Sequence, residues 1–337
     1  MYIYNKMDLE PLFRAYNKNI SDTTLNIYTK NMQRLNKMMS KKFGGEKTIK
    51  DLTFIKDYDK VLEILEPYSN HSQKNYLVPI QILLTPKEGV QSELYDRYVA
   101  KIKELRLKID GNYDENTKSK KQDDNWIEYS EVLKLLSKLK KKAKPIMERS
   151  TEDWKYLLSE IEIVQQYLLW YLYSGKAFPP VRNDFANMKI SKDGEYTNEG
   201  NWLVMSKIPM FVLNEYKTAN KIKNRGDDPQ VKIYVKDMAL RKLLQFWVDK
   251  MNKTQYLLLN INHLGTDDYK MTENGITKNL TKISMNHLNK KISSSLLRSI
   301  YITDKQKDLK TMKDKKDLAK KMTHTAMTAM TIYNKLE

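Results

Sequence analysis

Toward the C-terminus an arginine, a histidine and a tyrosine follow one another, as Arg298, His324 and Tyr333. Each has a use at an anionic reacting centre. A guanidinium stays charged at any relevant pH and grips two oxygens at once, so it suits an oxyanion whose negative charge grows in a transition state. A phenol with an ordinary pKa of about 10 is almost wholly neutral at pH 7 and needs cationic surroundings or a base to act as a nucleophile. Ser295, three residues before Arg298, shares a face with it if the stretch is helical. Its hydroxyl can donate one hydrogen bond but cannot carry charge. His324 and Tyr333 are nine residues apart, which one continuous helix would place on opposite faces, so they converge only across a turn. With 22 tyrosines in the chain, a tyrosine near the end is no signal by itself; its spacing from His324 and Arg298 is what marks Tyr333.

This order and spacing resemble the tyrosine recombinase (phage-integrase-type) family. The family's second motif reads roughly His-x-x-Arg-His-x-x-x-Thr. Its third reads Leu-Gly-His-Ser, with the nucleophilic tyrosine nine residues beyond the histidine. Here Arg298, Thr303, His324, Thr325 and Tyr333 occupy those slots, Ser295 stands where the family usually has histidine, and Thr323 replaces the glycine. The matching motifs run from residue 182 to residue 333. The resemblance implies a second arginine after an apolar helix and before a sheet, commonly in Thr-Gly-x-Arg-x-x-Glu, and Arg182 in Pro-Pro-Val-Arg fits that place. Asp184 stands one position closer than the usual acid. The competing reading of Arg182 is an anchor for a helix end. The resemblance also implies a lysine that protonates the leaving 5′ oxygen, for which Lys217 is the choice and Lys221 and Lys223 are alternatives. His324 would then hydrogen-bond the scissile phosphate, and Tyr333 would form a 3′-phosphotyrosine. The implied partner is double-stranded DNA, bound by a homo-oligomer (a tetramer), for recombination or integration. A type IB topoisomerase shares the arginine, lysine, histidine and tyrosine set and is the nearest rival. A DNA-binding relative that has lost catalysis is the rival from another class.

The composition is consistent with that partner. Sixty Lys+Arg against 42 Asp+Glu give a formal net charge of +18, which favours a polyanion, most commonly nucleic acid. No apolar run approaches the ~20 residues of a spanning helix, and no long apolar segment follows the N-terminus as a signal peptide would require. The expectation is a soluble, intracellular protein acting on DNA. There is no cysteine, which excludes disulfides and thiolate chemistry, and the four histidines have no metal-ligand spacing. Without a glycine-rich phosphate loop, neither a metal nor a nucleotide cofactor is expected.

The elements that must position these residues read as mainly α with a small antiparallel β-sheet, an α+β chain. Residues 1–19 form an N-terminal arm or a short first helix. Residues 20–108 give four helical stretches, beginning after the start signal Ser21-Asp22-Thr23-Thr24, and match the family's helical core-binding domain. Residues 109–125 are polar and charged and form the linker. Residues 126–337 form the catalytic domain. Within it, Lys134–Lys144 is a helix with one basic face, either solvated or facing phosphates. A long apolar helix from Thr151 to about Ser174 carries Leu157, Leu158, Leu168 and Leu169 into the core. Strands are expected at 187–190, 202–205, 210–213 and 231–235, with a hairpin carrying Lys217, Lys221 and Lys223. Helices resume at 238–251, 277–289 and 292–302. His287 reads as structural or DNA-facing, and the lysine-rich stretch 305–321 as a solvated helix.

Overall fold

The computed structural model describes residues 8–45, 48–85, 92–114, 117–149, 156–266, 269–308, 311 and 313–314. The chain divides into two compact units, Met1–Glu115 and Asn116–Glu337.

The first unit is helical among its described residues. It contains α1 (Glu10–Tyr16), α2 (Asp22–Phe43), α3 (Tyr58–Leu65), α4 (Asn70–Leu83) and α5 (Glu93–Asp114). Side-chain caps set three of the starts: Ser21, Asp57 and Ser69 accept from the backbone N–H three residues on, each typically contributing about 1 kcal/mol. Of the two readings of residues 1–19, arm or short first helix, the described part is the helix α1, with Leu9 and Phe13 buried in the core with Met32, Leu35, Leu77 and Ile80. One expectation is corrected here. The stretch 109–125 is not a plain linker, because the apolar stripe Ile102 and Leu105 continues one turn on to Ile109, which is buried, and α5 runs to Asp114. A short helix, α6 (Lys120–Asp123), follows with a capping box between Ser119 and Gln122.

The second unit packs α7 (Tyr129–Met147) against α8 (Leu158–Tyr173). Val132, Leu135, Leu136, Leu139, Ala143 and Ile146 recur at helical spacing on α7 and are all buried. The Trp170 indole on α8 donates to the Val132 carbonyl at 3.0 Å, so the largest core side chain is also satisfied. Leu157 and Leu158 are exposed rather than in the core, since α8 begins only at Leu158. The sheet follows with strands β1 (Lys189–Ser191), β2 (Trp202–Val204), β3 (Met210–Leu213) and β4 (Val231–Tyr234), in the order β1-β2-β3-β4. β2 pairs antiparallel with β3, and β3 with β4. β1 runs parallel to β2 with Ile190 opposite Leu203, so the sheet is mixed and not antiparallel as expected.

A helix, α9 (Ala219–Lys223), occupies the β3–β4 connection where a hairpin was expected. Next come α10 (Met238–Phe246), continued as a π-helical turn at Trp247–Met251, then α11 (Glu273–Leu288) and α12 (Ser294–Gln306). Ser293 caps α12, and Gly175, just past the end of α8, has φ of +75°. A β-carbon at Gly175 would overlap the Tyr301 ring of α12, so α8 and α12 approach there as closely as a bare backbone permits. Among the described residues no helix is long and apolar enough to cross a membrane.

Candidate active site

Arg182 lies in the loop between α8 and the sheet, and Arg298 lies in the second turn of α12. Both lie within electrostatic reach of Asp184. Burial raises the Asp184 pKa to about 6, and the positive charges of Arg298 and then Arg182 act against that rise. Glu273, at the start of α11, reaches the same group and pushes it further up. The result is a half-buried carboxylate with two guanidinium groups and a second acid around it.

The loop that carries Arg182 is pinned from three sides. Tyr173 at the end of α8 donates its hydroxyl to the Arg182 carbonyl at 2.9 Å. The Asn183 amide donates to the Glu273 carbonyl and to the Thr277 hydroxyl of α11, at 3.0 and 3.1 Å. The Asn201 amide, at the start of β2, donates to the carbonyls of Asp184 and Glu215 at 2.9 and 2.8 Å. Its oxygen accepts from the backbone N–H groups of Asn214 and Glu215, both at 2.9 Å. Asn201 is buried, and through four hydrogen bonds it stitches the Arg182 loop to the turn that leaves β3. Lys217 sits in that turn, exposed, next to Tyr216, whose hydroxyl feels the charge of Asp184. Lys217 thus stands two residues beyond Glu215, the last residue that Asn201 ties to the Arg182 loop. Lys223 lies farther along, at the end of α9. Lys221 also falls in α9, and its side chain lies outside the described residues.

The two serine and threonine positions behave differently from the arginines. Ser295 is exposed in the first turn of α12, whereas Arg298, one turn on, is 1% exposed. Thr303 lines a shallow cleft with Trp126, Glu128 and Asp304, turned away from Arg298 as five residues of helix require. His324, Thr325 and Tyr333 lie outside the described residues. Among the described residues Tyr173 is a phenol next to the two arginines, and it is unfit as a nucleophile. It is fully buried, its hydroxyl is committed to the Arg182 carbonyl, and burial, with Asp184 adding to it, drives its pKa well above the ordinary value.

Asn201, Asn183, Tyr173 and Glu273 were not singled out from the sequence. Each partner of Asn183 lies some ninety positions away, and no local pattern marks such a pairing. Compared with protein-family models, curated proteins and solved structures, the chain matches none of them.

Proposed function

We propose that the chain is a DNA strand-cleaving and rejoining enzyme of the tyrosine recombinase type. The observation that supports this reading is that Arg182 and Arg298, from a loop and a helix far apart in the chain, both lie within electrostatic reach of Asp184. Two fixed guanidinium groups suit a phosphodiester, whose non-bridging oxygens gain charge as it is attacked. The acid beside them balances their charge while the site is empty.

In this reading the Tyr333 phenol loses its proton to solvent water as its oxygen attacks phosphorus, the bond to the 5′ oxygen breaks, and Lys217 gives that oxygen its proton. The 3′ end stays on the tyrosine, so no external energy source is needed to reseal it. His324 donates to the same phosphate. The partner is duplex DNA, and the working form is a homotetramer assembled on it.

The test is a nicked suicide duplex carrying the recombination site. The parent should form a covalent protein–DNA adduct, and Tyr333→Phe should bind equally and form none. An adduct of undiminished yield from the phenylalanine variant would overturn the assignment. The near-complete burial of Arg298 favours a second reading, a DNA-binding relative without catalysis, because a phosphate reaches this guanidinium only after its covering side chains move. Under that reading the parent forms no adduct on any site it binds.

A further inference from the structure

The lysine run on α7 belongs to none of the chemistry above. Lys134, Lys138, Lys140, Lys141, Lys142 and Lys144 are all exposed. At 100° per residue they cover an arc of about 200° opposite the buried stripe that includes Leu136, Leu139 and Ala143. No acid lies on α7 between Glu131 and Glu148. Of the six, Lys144 has an ion pair among the described residues, a long one of 3.6 Å to Glu148. Like charges at i,i+3 and i,i+4 repel, and five such pairs occur here, Lys134–Lys138, Lys138–Lys141, Lys138–Lys142, Lys140–Lys144 and Lys141–Lys144. The helix dipole favours cations only in the last turn, so it does not account for Lys134 or Lys138. The positive potential extends to a neighbouring element. Burial lowers the pKa of His287, near the end of α11, and Lys142 and Lys138 lower it further.

We infer that this ridge, α7 together with the end of α11, is a second polyanion-binding surface, fitted to the backbone of duplex nucleic acid and separate from the arginine centre. Its separation follows from α11 itself. Glu273 at the first residue of that helix belongs to the arginine centre, and His287 stands fourteen residues on, a rise of about 21 Å. Lys134 to Lys144 span about 15 Å of helix, a length over which duplex DNA presents about nine phosphates. An anionic membrane fits less well. A helix that lies in a bilayer surface inserts an apolar face, and the apolar face of α7 is spent in the core, with no large apolar side chain at its exposed positions. The inference holds whether or not the arginine centre is catalytic.

The test uses the full chain and a short duplex of arbitrary sequence, with affinity measured from about 50 to 200 mM salt. A ridge variant carries Lys134→Gln, Lys138→Gln, Lys141→Gln and Lys142→Gln. A control variant of the same net charge carries Lys207→Gln, Lys236→Gln, Lys242→Gln and Lys250→Gln, all exposed positions elsewhere in the second unit. The ridge variant should lose at least tenfold in affinity at about 100 mM salt. Its plot of log K against log salt should flatten by up to about 3.6, from 0.9 for each of four lost phosphate contacts. The control variant should keep the parental slope. Equal losses in both variants would reduce the ridge to a share of the overall charge, and parental binding by a ridge variant with unchanged circular dichroism would make it a solvated face. Either result overturns the inference. So does a ridge variant that binds DNA normally but no longer co-sediments with phosphatidylserine vesicles. Adduct yield at saturating site DNA should be parental in the ridge variant, which separates a failure here from a failure of the catalytic reading.

Discussion

The chain deploys positive charge in two opposite ways, and the contrast lies between the Arg182–Arg298 centre and the α7 ridge. In the centre, two arginines lie within electrostatic reach of one half-buried carboxylate, and the Arg182 loop is held by Tyr173, Asn183 and Asn201. On the ridge, six exposed lysines project from one helix, and among the described residues one of them, Lys144, has an ion pair, a long one to Glu148. The first arrangement fixes donors in advance, which raises the worth of each bond to a phosphate and restricts what can bind. The second leaves flexible point charges that contact a phosphate backbone in many registers. Geometry is costly to disturb in the first and cheap to disturb in the second.

Arg298→Ala should break the comparison most severely. It leaves Asp184 without its most buried counter-charge, and removing one partner from a buried ionic group typically costs about 3–5 kcal/mol. Thermal denaturation reads that loss, and single-turnover cleavage should fall by about 10³ or more. Any single ridge lysine changed to glutamine should stay within about 0.5 kcal/mol of the parent in the same melt. Asn201→Ala comes next, at about 2–3 kcal/mol, because it strands several buried backbone groups at once. It should also slow cleavage while leaving the ridge-dependent salt slope alone, and an unchanged rate would show that Lys217 needs no tether.

Asp184 gives a smaller effect with a definite sign. Its pKa in the fold, about 6, lies above the ordinary 3.8, so folding favours the protonated form. Stability from this group is complete below about pH 4 and is lost as pH rises through about 6. Two units correspond to roughly 3 kcal/mol, and partial exposure brings the expectation nearer 1–2 kcal/mol. The parent should therefore lose melting temperature between pH 4.5 and 7.5 by an amount that Asp184→Asn does not show. Parallel pH profiles for the two proteins would mean that Asp184 is not strained. Ser295→Ala should be mildest. The exposed hydroxyl should contribute less than about tenfold to the cleavage rate, and a loss of about 10² would place it among the donors to the phosphate.

Much of the fold was legible because its signals are local. The basic-faced helix α7, the cap of α2 and β3 from Met210 to Leu213 fall where period and punctuation put them. What was missed is non-local. Alternation shows that 187–190 and 202–205 are strands but carries no record of direction, so the parallel pairing of β1 with β2 could not be read. Polarity made 109–125 look like a linker although Ile109 still belonged to the stripe above it. At the site, the sequence offered Arg182 and Arg298 through their motif positions and gave no sign of Asn201, whose four partners come from two other loops. Ser295 and Arg298, equivalent by spacing, differ in burial because helix spacing places residues relative to one another and not relative to the core.

The contact at Gly175 turns a packing detail into a lever. The Tyr301 ring rests where a side chain at 175 would be, and Tyr301 stands one helical turn beyond Arg298 on the same rigid helix. Any residue larger than glycine must therefore displace the Tyr301 ring or the helix that carries it, and in the second case Arg298 moves although no charge has changed. The arginine centre is thus coupled to an atom that is missing, and the choice of residue at 175 is bound to the aromatic ring at 301 as closely as two gears are bound by their teeth.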